Sequence, residues 1–240
     1  MMRKDIMEQI TESYKVMLAY HQQIGSLFKV LDNRFASEQN TKKLLPISAN
    51  KLFAVCDYQY MFLDNYSLLN HQIPYDSGLP FWLGRFYINA DCLVGDTPID
   101  DYPAKQVQHL AFVWTWIGCD DPNLVDANEP ECWIAIVDPQ PTNPETRIYD
   151  VAEMVWKWIR IETTTEQERD GWIFGRFYPH EFGCELNGSW QVKRFPLHDI
   201  SSLYQIYQLI VNPLTERIAQ LAGGETVSYT HLTLPTSYAV

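Results

Sequence analysis

The chain contains 240 residues and carries a formal net charge of −12, from 18 Lys and Arg against 30 Asp and Glu. Hydrophobic residues make up 46% of the sequence and charged residues 20%, which excludes a disordered chain, a collagen-like repeat and a small disulfide scaffold. The acidic groups are concentrated in residues 52–150. Because nucleic acids are bound mainly by Lys and Arg that neutralise phosphates, we expect no nucleic-acid partner. A basic protein partner suits this surface better.

Residues 4–36 show the spacing of one long helix. Its seam positions follow one another in steps of four and three residues: Ile10, Tyr14, Met17, His21, Ile24, Phe28, Leu31 and Phe35. The aromatic residues and His21 are poor residues for a two-stranded coiled coil. The seam therefore either packs on the protein's own domain or forms a homodimer. We predict an N-terminal helical arm over residues 1–46 and an α+β domain over residues 47–225.

A second N-terminal helix is predicted over about residues 50–69. Leu52, Cys56, Gln59 and Leu63 fit one face of such a helix. The aromatic and β-branched residues of the segment make a strand the alternative.

From Pro80 to Phe195 the chain has the pattern of a β-sheet. Aromatic and β-branched runs alternate with connections rich in Asp, Pro, Asn and Gly. The predicted strands cover residues 80–88, 107–117, 132–138, 154–162, 172–179 and 189–195. We expect a mainly antiparallel sheet of about six strands.

The last predicted element is a C-terminal helix. Apolar residues recur every three or four positions from Leu203 to Leu221. Pro213 either begins a second helix after Asn212 or kinks a single one. With the long N-terminal helix, the second N-terminal helix and the sheet, this predicts the α+β class.

The five cysteines indicate a reducing compartment. They are Cys56, Cys92, Cys119, Cys132 and Cys184, an odd number without C-x-x-C spacing, which argues against a disulfide framework and a zinc ribbon. The N-terminus lacks the apolar core of a signal peptide, and no apolar run is long enough to span a membrane. We therefore expect a cytoplasmic protein with no membrane partner.

An acidic cluster between two predicted buried strands is the first candidate site. Its members are Asp120, Asp121, Asp126, Glu129, Glu131 and Asp138. Carboxylates that converge on one point are what Mg²⁺ or Mn²⁺ requires, and a metal-dependent hydrolase would use them to orient water. The alternative is a set of solvated turn residues, because no calcium-loop spacing is present.

A second candidate site combines tryptophans and arginines. If residues 154–162 form a strand beside residues 172–179, alternation places the members of each strand on one side. The residues are Trp156, Trp158, Arg160, Trp172 and Arg176. Such a face would stack a nucleotide or a sugar. The alternative is an ordinary core sheet whose arginines extend to its rim.

The last residues have the character of a foreign tail. Residues 227–236 read VSYTHLTLPT, which resembles a translated transposase adapter from sequencing libraries, and residues 226–240 carry no charge. We expect residues 226–240 to be non-native. The same resemblance points to a metagenomic, microbial source and to a natural sequence that continues differently after Glu225.

The leading functional prediction is a protein-interaction module without catalytic activity or cofactor. No phosphate-binding loop, dinucleotide fingerprint or nucleophile elbow occurs in the sequence. The long helix or the acidic loops would engage the partner. The metal-dependent hydrolase and the small-ligand binder are the two rival predictions.

Overall fold

A computed structural model describes the helices and most of the sheet. The described residues are 4–38, 40, 42–48, 51–56, 59–64, 82–116, 129–158, 167–177 and 186–223. The predicted tail over residues 226–240 lies outside them. None of the described helices has the length and apolar character that a membrane span requires.

Within the described residues, nine strands form one antiparallel sheet. They are β1 (Leu44–Pro46), β2 (Lys51–Cys56), β3 (Gln59–Asp64), β4 (Trp82–Asn89), β5 (Leu110–Trp116), β6 (Glu131–Pro141), β7 (Gln167–Arg169), β8 (Trp172–Arg176) and β9 (Leu186–Pro196). The order across the sheet is β3-β2-β4-β5-β6-β9-β8-β7, and β1 also pairs with β4. The α+β class and the antiparallel sheet are confirmed, with more strands than the sequence predicts.

Helices cover both faces of this sheet. They are α1 (Lys4–Phe35), α2 (Ile148–Trp158), α3 (Leu203–Ile206) and α4 (Asn212–Ala222), with a π-helical segment, Tyr207–Val211, between the last two. The predicted N-terminal and C-terminal helices are therefore both present. Pro213 lies in the first turn of α4, directly after the π-helical segment.

Alternation along the central strands gives the sheet two apolar faces. On β5, Phe112 and Trp114 belong to the core on one face, whereas Ala111 and Val113 belong to the core on the other. Buried residues of α2 pack on the first face. The second half of α1 and the C-terminal helices pack on the second face. The central strands are thus covered on both sides, as the apolar runs predict.

The prediction of a strand over residues 154–162 is wrong for its first half, which belongs to α2. Ile148, Val151, Ala152 and Val155 are buried, at the spacing of a helix face. Asp150, in the first helical turn, accepts a hydrogen bond from the Arg147 backbone N–H, as in a capping box. Residues 159–162 lie outside the described part of the chain.

The helix predicted over residues 50–69 is also wrong where the structure describes it. Residues 51–56 and 59–64 form β2 and β3, so the strand alternative is the one observed. Phe53, Ala54 and Val55 of β2 pair with β4 on one side and with β3 on the other. Aromatic and β-branched residues favour such a two-sided ladder over a helix.

A buried ion pair joins α1 to the sheet. Arg85 of β4 is only 1% exposed, and its Nε lies 2.8 Å from Oδ1 of Asp32, which is 17% exposed. A buried guanidinium needs such a carboxylate, because taking the charge out of water costs several kcal/mol. The pair therefore fixes the second half of α1 to the sheet.

Candidate functional site

Two described members of the predicted acidic cluster, Glu131 and Asp138, lie far apart along β6. Glu131 begins β6 and Asp138 lies near its other end. At about 3.3 Å per residue the two α-carbons are roughly 23 Å apart. Glu131 and Asp138 therefore do not share a metal site. Asp120, Asp121 and Asp126 lie outside the described residues.

The two glutamates near the start of β6 have local partners. Glu131 accepts a hydrogen bond of 2.6 Å from the indole N–H of Trp133. Glu129 lies 3.3 Å from the exposed imidazole of His198. Within the described residues, no group of three or more His, Cys, Asp or Glu side chains is placed to hold a metal ion.

The tryptophan and arginine platform is divided between two sides of the sheet. Trp156 and Trp158 belong to α2, which packs on one face. Trp172 is buried in the core of the opposite face, and Arg176 has the same parity on β8. The expectation of a strand is therefore wrong for Trp156 and Trp158, which lie in a helix, whereas Trp172 and Arg176 share one side of β8. Arg160 lies outside the described residues.

The two halves of α1 differ in their exposure to solvent. Every residue from Asp5 to Val16 is exposed. From His21 onward the seam residues are buried against the sheet and the C-terminal helices. The imidazole Nδ1 of His21 lies 2.8 Å from the carbonyl oxygen of Met17, four residues earlier. The seam predicted from the sequence thus serves the protein's own core in its second half only.

An open groove lies between the second half of α1 and the segment that leads into α3. It encloses about 750 Å³. Its lining residues are Tyr20, Gln23, Ile24, Ser26, Leu27, Val30, Asn33, Arg34, Leu197, Ile200, Ser201, Ser202, Leu203 and Ile206. We call this the α1–α3 groove. Both walls contribute apolar residues, and the polar residues of the lining are uncharged except for Arg34.

Both walls of the α1–α3 groove are locally fixed. Tyr20 donates a hydrogen bond of 3.3 Å to the Thr115 hydroxyl, and burial raises the pKa of Tyr20 to about 12, so it stays neutral. On the other wall, the Ser202 hydroxyl accepts from the Gln205 backbone N–H. The Gln205 side chain accepts in turn from the Ser201 N–H. This capping arrangement begins α3 at the edge of the groove.

The sequence pattern alone does not reveal this groove. In the sequence pattern, Leu203 and Ile206 look like ordinary members of an amphipathic helix. Their place beside α1 depends on long-range packing. The one local signal is Ser202 three residues before Gln205, which marks a helix start next to apolar residues.

A second polar site joins β5 and β6. His109 directly precedes β5, and continuing the register of Leu110 with Val137 places it opposite Asp138. Burial lowers the pKa of His109, and the nearby Asp138 opposes this shift. Burial likewise raises the pKa of Asp138, and His109 opposes that shift. His109 Nδ1 is buried without a hydrogen-bond partner among the described groups.

This pair predicts a pH effect on stability. Because the folded-state pKa of His109 is lowered, the unfolded chain binds its proton more readily, and stability falls as pH drops through about 6.5. We expect His109→Gln to flatten the loss of unfolding free energy between about pH 7 and pH 5. Urea unfolding of both proteins at the two pH values measures this loss of unfolding free energy. The exposed His198, changed to Gln, is the matched control. An unchanged slope in His109→Gln would contradict the prediction.

Comparisons with protein-family models, with curated proteins and with solved structures give no match to this chain. A proposal about function therefore depends on the chain's own residues.

Proposed function

We propose that this protein is a protein-interaction module that binds an α-helix of a partner in the α1–α3 groove. The observation that carries this proposal is the shape and lining of the groove. Along α1 it extends from Tyr20 to Arg34, which is about 21 Å or four helical turns. A groove of that length with apolar residues on both walls suits a helix with apolar residues on one side.

The charge of the groove adds a preference at one end. Arg34 is the one charged residue in its lining, and its guanidinium lies 5.6 Å from the ring centre of Tyr207. An acidic residue at the corresponding end of the partner helix would complement it. The basic partner expected from residues 52–150 concerns a different surface and remains a prediction.

The rival functions have less support. The hydrolase needs its carboxylates at one point, and β6 separates Glu131 from Asp138. The small-ligand binder needs a shared face, and the sheet separates α2 from Trp172. We keep the proposal of a cytoplasmic protein, which the free thiols of Cys92 and Cys132 support.

Selection of helical peptides tests the groove. Peptides enriched on the full-length protein from a display library should carry apolar residues at i, i+3, i+4 and i+7. Leu203 is 45% exposed and lines the groove. We expect Leu203→Glu to weaken binding of these peptides by about tenfold or more, because a carboxylate replaces an apolar contact.

The neighbouring residue provides a matched control. Tyr204 is 71% exposed and does not line the groove, so Tyr204→Glu should bind the selected peptides like the wild type. Both substitutions place an acidic residue in the first turn of α3, where the helix dipole favours it. Equal binding to wild type and Leu203→Glu, measured by fluorescence anisotropy, would overturn the proposal.

A further inference from the structure

Four neighbouring strands place polar residues in one row across the sheet. β6 pairs with β9 so that Asp138 lies opposite Ser189. Continuing the registers of β4 with β5 and of β5 with β6 puts His109 between Asn89 and Asp138. We call these four residues, Asn89, His109, Asp138 and Ser189, the polar row. At about 4.8 Å between neighbouring strands, its three steps span roughly 14 Å.

The polar row ends an otherwise apolar part of the sheet. By alternation, its members lie on the face that α1 and α4 cover. The next row on the same face consists of Tyr87, Ala111, Ile136 and Gln191. Three of those four residues belong to the buried core. In the polar row, Asn89 is buried and the other three members are half-buried, so polar groups are concentrated where the sheet is still partly accessible.

The members of the polar row use only part of their hydrogen-bonding capacity. Asp138 accepts one hydrogen bond, of 3.4 Å, from Gln140, and the side-chain oxygen of Asn89 accepts one backbone N–H at 3.2 Å. The Nδ1 atom of His109 is buried without a hydrogen-bond partner among the described groups. Among those groups the Ser189 hydroxyl also makes no hydrogen bond. Because buried polar groups cost free energy unless they are hydrogen-bonded, their concentration in one row indicates a binding site.

We propose that the polar row binds a small polyhydroxylated ligand of the sugar or polyol class. A hydroxyl group both donates and accepts, so it can donate to the Asp138 carboxylate and accept from a neighbouring group. Asn89 supplies N–H donors, and Ser189 both donates and accepts. The neutral imidazole of His109 adds one donor and one acceptor. A few polar groups that converge in this way fix the orientation of a small ligand.

The charges around the polar row favour an uncharged ligand. Asp138 would repel an anion, and Arg176 of β8, which lies opposite Ser189 and continues the row, would repel a cation. A zinc ion takes three or four protein ligands, whereas the row contains one histidine and one carboxylate. The site is separate from the α1–α3 groove and does not depend on the predicted tryptophan platform.

Titration of free sugars against the full chain tests the polar row. The probes are a panel of pentoses, hexoses and sugar alcohols, measured by ligand-observed NMR in the presence of EDTA. We expect saturable binding of at least one probe with a millimolar or tighter Kd. Asp138→Ala should weaken this binding more than tenfold, and Ser189→Ala about fivefold, because a hydrogen bond to a charged group contributes more than a neutral one. Failure of every probe to bind, or wild-type affinity in both variants, would overturn the proposal.

An exposed aspartate provides the matched control. Asp96 is exposed, and Asp96→Ala changes the net charge by the same amount as Asp138→Ala, so it should bind the sugar like the wild type. Ser189→Ala removes only a hydroxyl group and keeps the test decisive if Asp138→Ala does not fold. Leu203→Glu should bind the sugar normally, which separates this site from the α1–α3 groove. Binding that requires Zn²⁺ in place of EDTA would indicate a metal site and overturn the proposal.

Discussion

Replacing Asp32 with Ala should lower the free energy of unfolding by about 3–5 kcal/mol. The guanidinium of Arg85 is 1% exposed and lies 2.8 Å from the Asp32 carboxylate. Removal of that carboxylate takes an opposite charge away from a buried guanidinium, and this part of the compensation for its desolvation is lost. Urea unfolding of the two proteins at the same pH measures the difference.

A double substitution separates the pair from the single charge. Asp32→Leu with Arg85→Met removes both charges and keeps apolar volume, so it should recover most of the stability lost in Asp32→Ala. The control is Glu12→Ala. Glu12 forms an ion pair with Lys15 in which both side chains are exposed, so this substitution should change the free energy of unfolding by less than about 0.5 kcal/mol. A loss below about 1 kcal/mol in Asp32→Ala would show that the buried arginine does not depend on this carboxylate.

This ion pair is a contact that the sequence patterns do not predict. The seam predicts α1 over residues 4–36, and the structure has Lys4–Phe35, because a heptad pattern is local information. The contact of Asp32 with Arg85 joins residues far apart in the chain. No local periodicity identifies it, so only the packed structure shows which half of α1 belongs to the core.

Competing periodicities explain the error in α2. The run around Trp156 and Trp158 alternates like a strand, whereas Ile148, Val151 and Val155 recur like a helix. The buried face of Ile148, Val151 and Val155 favours the helix, and the Asp150 carboxylate adds to it by accepting the backbone N–H of Arg147 at the helix start.

The candidate sites were likewise predictable from the sequence only in part. Asp138 was predictable as an acidic residue at the end of a buried strand, and His109 directly precedes the facing strand. Their pairing follows once the two strands are known to be antiparallel neighbours. The α1–α3 groove was not predictable, because its two walls come from opposite ends of the chain.

A glycine on β8 provides the second large expected effect. Gly175 pairs with Trp190 of β9, and a Cβ at Gly175 would clash with Cζ2 of that indole. Trp190 is 5% exposed, so its ring has little room to move. The close approach of an aromatic ring over a cross-strand glycine therefore requires the missing side chain.

Gly175→Ala should lower the free energy of unfolding by about 3 kcal/mol, at the upper end of overpacking costs. Trp190→Ala should itself lower the free energy of unfolding by about 3–5 kcal/mol. In that background Gly175→Ala should leave the free energy of unfolding unchanged or raise it slightly. The clash is then absent, and alanine reduces the conformational freedom of the unfolded chain. The control is Gly223→Ala, where an added Cβ meets nothing nearer than 3.4 Å. A double-mutant cycle measured by urea unfolding gives the coupling between the two positions. A coupling free energy below about 1 kcal/mol would mean that the indole of Trp190 moves aside to admit the added methyl group, and would contradict the prediction.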